Sequence, residues 1–132
     1  MTPLLGMLYA MLMGFPAMLF HECGHLSVAL LCGVRIKKVG LSKIGLYTVR
    51  EAGPRWANLC ISSAGPLVNL VLALALKNLL PAFAWVNLIA FAYNLLPIPN
   101  SDGKRILALL VHDTPSVAAT TPRPAHVGPS AV

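Results

Sequence analysis

His21-Glu22-Cys23-Gly24-His25 interrupts a stretch that is otherwise apolar enough to cross a bilayer. No charged side chain occurs between Thr2 and Phe20, and Leu26-Ser27-Val28-Ala29-Leu30-Leu31 resumes the run. Ionisable groups at membrane depth are costly and mark functional sites. At about 3.6 residues per helical turn, His21 and His25 fall one turn apart on one face. Two neutral imidazoles so spaced can grip one zinc ion while Glu22 stands beside it as a general base. The alternative is a pair of helix histidines satisfied by neighbours, which the desolvation cost of an unligated His-Glu-His cluster in lipid disfavours. Cys23 lies about 200° round the helix from His21 and is expected to pack away from the ligand face.

Composition agrees with a membrane setting. The chain has 132 residues, 57% hydrophobic and 11% charged, with a mean hydropathy of +0.73, whereas soluble domains carry about 25% charged residues. The length allows one compact domain. A net charge of +6 raises nucleic acid as a partner, but six of the ten basic residues (Arg35, Lys37, Lys38, Lys43, Arg50, Arg55) fall between positions 34 and 56. That clustering reads as a juxtamembrane loop on the cytoplasmic side, with attraction to anionic lipid and no nucleic-acid role. The three cysteines, Cys23, Cys32 and Cys60, show neither metal-knuckle spacing nor a disulfide framework. The N-terminal run lacks a basic leader and is too long for a signal peptide, so no cleavage is expected.

An α-helical membrane protein follows, with three transmembrane helices over about 3–33, 57–80 and 82–98. Gly14 and Pro16 are expected to kink the first. Between the first two lies a segment of different rhythm, about 34–53. Val34-Arg35-Ile36-Lys37 alternates, Lys38 breaks the phase, and Ile44 to Val49 is rich in β-formers. A short β-hairpin is predicted there, against the alternative of an irregular basic loop. The membrane-embedded core is taken as 1–112. Residues 113–132, with Pro115, Pro122, Pro124 and Pro129, form a predicted disordered tail.

A catalytic zinc needs three protein ligands and one open position. The remaining candidates are Glu51 in the basic loop, His112 at a helix end, Asp113 and His126 in the tail, and Asp102. Asp102 sits in Leu95-Leu96-Pro97-Ile98-Pro99-Asn100-Ser101-Asp102-Gly103, where prolines break a helix at membrane depth, which is tolerated where backbone lines a protein cavity. It is either the third ligand or a turn aspartate capping a helix that begins near Lys104. The ligand reading is favoured because the site otherwise lacks a third donor. If the spans alternate in direction, His21 and Asp102 reach comparable depths near the cytoplasmic side. In Ser62-Ser63-Ala64-Gly65-Pro66-Leu67-Val68-Asn69, small residues permit close helix approach, and Asn69 is either helix–helix glue or a substrate-facing amide. Asn94 poses the same choice, and Asn87 reads more as packing.

Three ordered blocks, HECGH at 21–25, AGPLVN at 64–69 and NLLPIPNSDG at 94–103, resemble the site-2 protease family of intramembrane zinc metalloproteases. With the intervening basic segment they span nearly all of the chain to about residue 111. The resemblance implies a minimal three-helix core in which His21, His25 and Asp102 bind zinc and Glu22 activates water. It implies that Asn69 lies near the substrate backbone, that the 34–53 hairpin presents substrate, and that the substrate is a transmembrane protein; Asn94 is expected to bind substrate as well. It is similar to small bacterial members, implying a bacterial cell membrane with the active site toward the cytoplasm, and room for a regulatory membrane partner or homo-oligomer. Ser101 departs from the family's apolar residue before the aspartate, and Lys104 from a frequent second glycine. Two other functions use the same scaffold: a non-proteolytic metal-binding module, and one that grips transmembrane segments without cutting them. An intact Glu22 favours activity, since a pure binder needs no base there.

Overall fold

The computed structural model describes residues 2–42 and 45–111. Helix α1 (Pro3–Leu31) is followed by strands β1 (Ile36–Ser42) and β2 (Gly45–Arg50). Helices α2 (Arg55–Leu76), α3 (Pro81–Leu95) and α4 (Asp102–Val111) complete the described chain. Pro3 opens α1 at a position where its missing N–H costs nothing. Gly33, with φ of 68°, supplies the left-handed residue that stops it. Pro16 sits inside α1 without ending it.

Two helices, α1 over Leu4–Leu31 and α2, are long and apolar enough to cross a membrane. Only 11% of the apolar span of α1 is buried within the protein. Leu4, Leu8, Leu12 and Leu19 face outward, the surface that lipid favours. The third expected span, 82–98, differs: α3 holds 15 residues, fewer than the roughly 20 of a full crossing. The cause is local. Leu96 precedes Pro97, which disfavours helical backbone, and Leu96 adopts an extended conformation with ψ of 138°. Helix α4, expected as a helix beginning near Lys104, starts two residues earlier, at Asp102, after a six-residue break. His112 and the predicted tail 113–132, with Asp113 and His126, lie outside the described residues.

The hairpin predicted over 34–53 is present as an antiparallel pair in which Ile36 faces Arg50 and Lys38 faces Val49. Lys37 is therefore the extra residue of a bulge, at the place where the apolar–basic alternation loses phase. Helix α2 is central and packs against α1, α3 and α4. Its buried face carries Ala57, Ile61, Ser62, Ala64, Gly65, Pro66, Asn69 and Ala73. Ala57 and Ile61 form an apolar cluster with Ala29 and Val34. Small residues set the distance between α1 and α2: a methyl group on Gly24 would stand 2.8 Å from Val68 Cγ2 and 2.9 Å from the Ala64 carbonyl oxygen. That contact lays the face of α1 bearing His21 and His25 directly on α2.

Candidate metal centre

Three side-chain atoms converge between α1 and the start of α4. His21 Nε2 lies 3.1 Å and His25 Nε2 3.2 Å from Asp102 Oδ2, and the two nitrogens are 3.1 Å apart. Tetrahedral zinc with bonds of about 2.0–2.1 Å holds its ligand atoms roughly 3.3 Å apart, so the triangle has the dimensions such an ion needs. His21 and Asp102 are buried.

The proton positions bear on the fit. His25 Nδ1 donates to the Ile61 carbonyl at 2.6 Å, which fixes the proton there and turns the Nε2 lone pair into the triangle. The carboxylate oxygen brings only lone pairs. The Nε2 lone pair of His25 and a lone pair of Asp102 Oδ2 thus face each other at 3.2 Å, and a proton shared between them or a cation must reconcile the two. Two imidazoles, one carboxylate and an open side make up a catalytic zinc donor set. Gly65 leaves the necessary room: a methyl group there would meet His25 Nε2 and stand 2.7 Å from His21 Nε2.

Asp102 is delivered by the broken stretch after α3. Asn100 takes a left-handed conformation with φ of 67°, which asparagine tolerates better than most residues. The Ser101 hydroxyl contacts the carbonyls of Leu96 and Ile98 at 2.5 and 2.8 Å and accepts the Lys104 N–H at 3.2 Å. Ser101 is therefore the N-cap of α4, which accounts for a polar residue at this position. At the other end of α4, Arg55 donates to the carbonyls of Leu109 and Leu110, satisfying terminal carbonyls the helix cannot. Arg105 approaches the second oxygen of Asp102 at 3.8 Å.

A cavity of about 140 Å³ opens over this centre, lined by His21, Glu22, His25, Asp102 and Asn94. Thr48 and Arg50 of β2 and Arg105 of α4 also line it, so the hairpin overhangs the three converging atoms. Arg50 donates to Asn58 Oδ1, and Asn58 in turn donates to the Gly53 carbonyl, tying β2 to the start of α2. Burial, then the charge of Arg105, pull the Arg50 guanidinium below its usual pKa. The Glu22 carboxylate is half-buried, within 4.8 Å of the imidazole donor atoms. Asp102 Oδ2 is nonetheless the oxygen placed between the two rings.

The other expected residues fall elsewhere. Asn94 is on the cavity wall, its amide nitrogen donating to the Ala90 carbonyl. Asn69, expected at substrate, is 1% exposed and sits 3.2 Å from His21 Nδ1, behind the ring. Asn87 is buried, as its packing reading requires. Glu51 pairs loosely with Lys37 at 3.6 Å, in the hairpin region. Cys23 is exposed on the outer face of α1 rather than packed, since the side of that helix away from the ligands has little protein against it. Ser101 as the cap of α4 was not anticipated, although a serine directly ahead of a helix start is a legible N-cap signal. Nor was the Ile61 carbonyl, which no side-chain pattern reveals.

The Peptidase M50B-like family model matches residues 5–115. A zinc metalloprotease of Methanocaldococcus jannaschii is 30% identical over 129 residues, covering 88% of this chain and 38% of that relative. A Synechocystis sp. relative is 30% identical over 126 residues, covering 83% of this chain and 33% of its own length. The solved site-2 protease from Methanocaldococcus jannaschii superposes with a TM-score of 0.67 at 31% identity, covering 75% of this chain and 52% of that one. The chain thus spans about a third to two fifths of the curated relatives it matches. With the order of motifs, the fold and the family match in agreement, the chain belongs to the Peptidase M50B-like, site-2 protease family.

Proposed function

We propose that this chain is the membrane-embedded core of a zinc metalloprotease that hydrolyses peptide bonds within or beside transmembrane segments of membrane proteins. The observation that carries the reading is the convergence of His21 Nε2, His25 Nε2 and Asp102 Oδ2 within 3.2 Å of one another, with Glu22 beside them. His21, His25 and Asp102 would hold the ion. When bound, zinc supplies a Lewis acid for the scissile carbonyl and acidifies water toward a pKa of about 7.

The chain's own groups account for the rest. Glu22 accepts a proton from the attacking water and returns it to the leaving amine. Asn94, on the cavity wall, hydrogen-bonds the substrate backbone. A helical substrate must unwind before its peptide bonds are accessible, and β2, which lines the cavity through Thr48 and Arg50, holds the extended segment along its edge. Residues 1–112 constitute this core. Helix α3 together with the extended stretch after it makes the third crossing. The basic residues of the hairpin support a metal side facing the cytoplasm, in a bacterial cell membrane as the resemblance to small bacterial members implies.

The test is cleavage of a single-span transmembrane peptide by the purified protein in liposomes. Glu22→Gln should retain zinc and lose activity by about 10²–10⁴-fold, the usual worth of a positioned base. Turnover by Glu22→Gln at the wild-type rate would remove Glu22 from this role, and absence of cleavage by zinc-loaded wild type would count against proteolysis.

A further inference from the structure

The two imidazoles are held from behind by different kinds of partner. His25 Nδ1 faces a backbone carbonyl, an acceptor only, so its proton has one place to be. His21 Nδ1 faces Asn69, whose amide offers both a donor and an acceptor. Asn69 Nδ2 points at His21 Nδ1 from 3.2 Å, while Asn69 Oδ1 is buried with no hydrogen-bond partner. This arrangement suits a His21 ring with its proton on Nε2, donating to Asp102 Oδ2 at 3.1 Å. A ring in that tautomer has no lone pair for a metal.

We propose that Asn69 is a positioning residue that turns its amide by 180° to let His21 bind metal. In the turned setting Oδ1 accepts the Nδ1–H of His21, and the Nε2 lone pair is freed toward the ion. The inference rests on the zinc reading above. Rotation exchanges oxygen and nitrogen of nearly equal size, so the packing around a residue 1% exposed is kept. One end of the amide is unpaired in either setting, so the proton on His21 decides between them. His25 is ready for metal at all times, and His21 becomes ready when Asn69 turns. Asparagine is the side chain that serves both tautomers from one position. Aspartate, accepting through either oxygen, would hold the metal-ready tautomer permanently, and leucine of similar volume would hold neither.

The experiment measures zinc affinity of the detergent-purified full chain by competition with a chromophoric chelator. Asn69→Leu should bind zinc about 10–100-fold more weakly, the usual cost of losing the partner of a ligating histidine. Asn69→Asp should bind at least as tightly as wild type and restore the wild-type ligand-field spectrum of the cobalt-substituted protein. Equal zinc affinity in wild type and Asn69→Leu would overturn the proposal, as would an Asn69→Asp variant as weak as Asn69→Leu. Should Asn69→Leu fail to fold, ¹⁵N resonances of the metal-free and zinc-loaded wild type decide. A His21 proton that moves from Nε2 to Nδ1 on zinc loading supports the proposal, and a proton on Nδ1 in both states overturns it. Wild type that binds no zinc would instead sink the proteolytic reading itself, which separates the two failures.

Discussion

Replacing Gly65 with alanine puts a methyl group between α2 and the two imidazoles. Its carbon would stand 2.7 Å from His21 Nε2 and would also meet His25 Nε2, where non-bonded heavy atoms prefer about 3.5 Å or more. Helix α2 cannot simply retreat, because it is packed on α1, α3 and α4. The rings must therefore move, or the helices must part. Overpacking of this size costs about 1–3 kcal/mol. The metal-loaded state bears most of it, since there the rings are fixed while the metal-free rings can swing aside. At about 1.4 kcal/mol per tenfold change, zinc affinity should fall roughly 5- to 150-fold. Gly14→Ala supplies the control, because a methyl group there has no neighbour within 4 Å. It should leave zinc affinity unchanged and favour helix by about 0.5–1 kcal/mol. Chelator competition on both variants is the assay. Gly65→Ala binding zinc as tightly as Gly14→Ala would refute the idea that Gly65 makes room for the centre.

Ser101→Ala removes the N-cap of α4 and should lower stability by about 1 kcal/mol, seen as a reduced Tm, while zinc stays bound at saturating concentration. Asn100→Gly should be tolerated, whereas Asn100→Val, a β-branched residue forced to positive φ, should cost about 1–3 kcal/mol and weaken zinc binding, because the turn that delivers Asp102 is displaced. Asp102→Ala should leave the purified protein with little zinc at micromolar free metal, measured by metal analysis; unchanged stoichiometry would contradict its role.

The parts of this molecule that depend on local pattern were readable in advance. The histidine pair announced its geometry through spacing, and the hairpin announced itself through an alternation whose break at Lys37–Lys38 is the bulge in the ladder. The sequence offered Asp102 as a third donor through coordination chemistry, and its carboxylate oxygen does lie beside both imidazoles, although Glu22 is also within reach of them. What escaped depends on how helices are rotated against one another. Nothing in Ser62–Asn69 says that Asn69 faces the back of His21, or that Ile61 offers its carbonyl to His25. The helix expected over 82–98 is longer than α3, because hydropathy continues through Leu96 and Ile98 while the backbone has already left the helix before Pro97. Helix α4 was legible only as the alternative in which Asp102 caps a helix near Lys104, and it begins two residues earlier, at Asp102.

X-ray absorption at the zinc edge of the wild-type protein addresses the shared ligand sphere of α1 and α4 most directly. Four light-atom ligands at about 2.0–2.1 Å, with the multiple-scattering signature of two imidazoles that falls to one in His25→Ala, are the expected result. Sulfur in the first sphere, or a spectrum unaltered by Asp102→Ala at full zinc loading, would contradict the account.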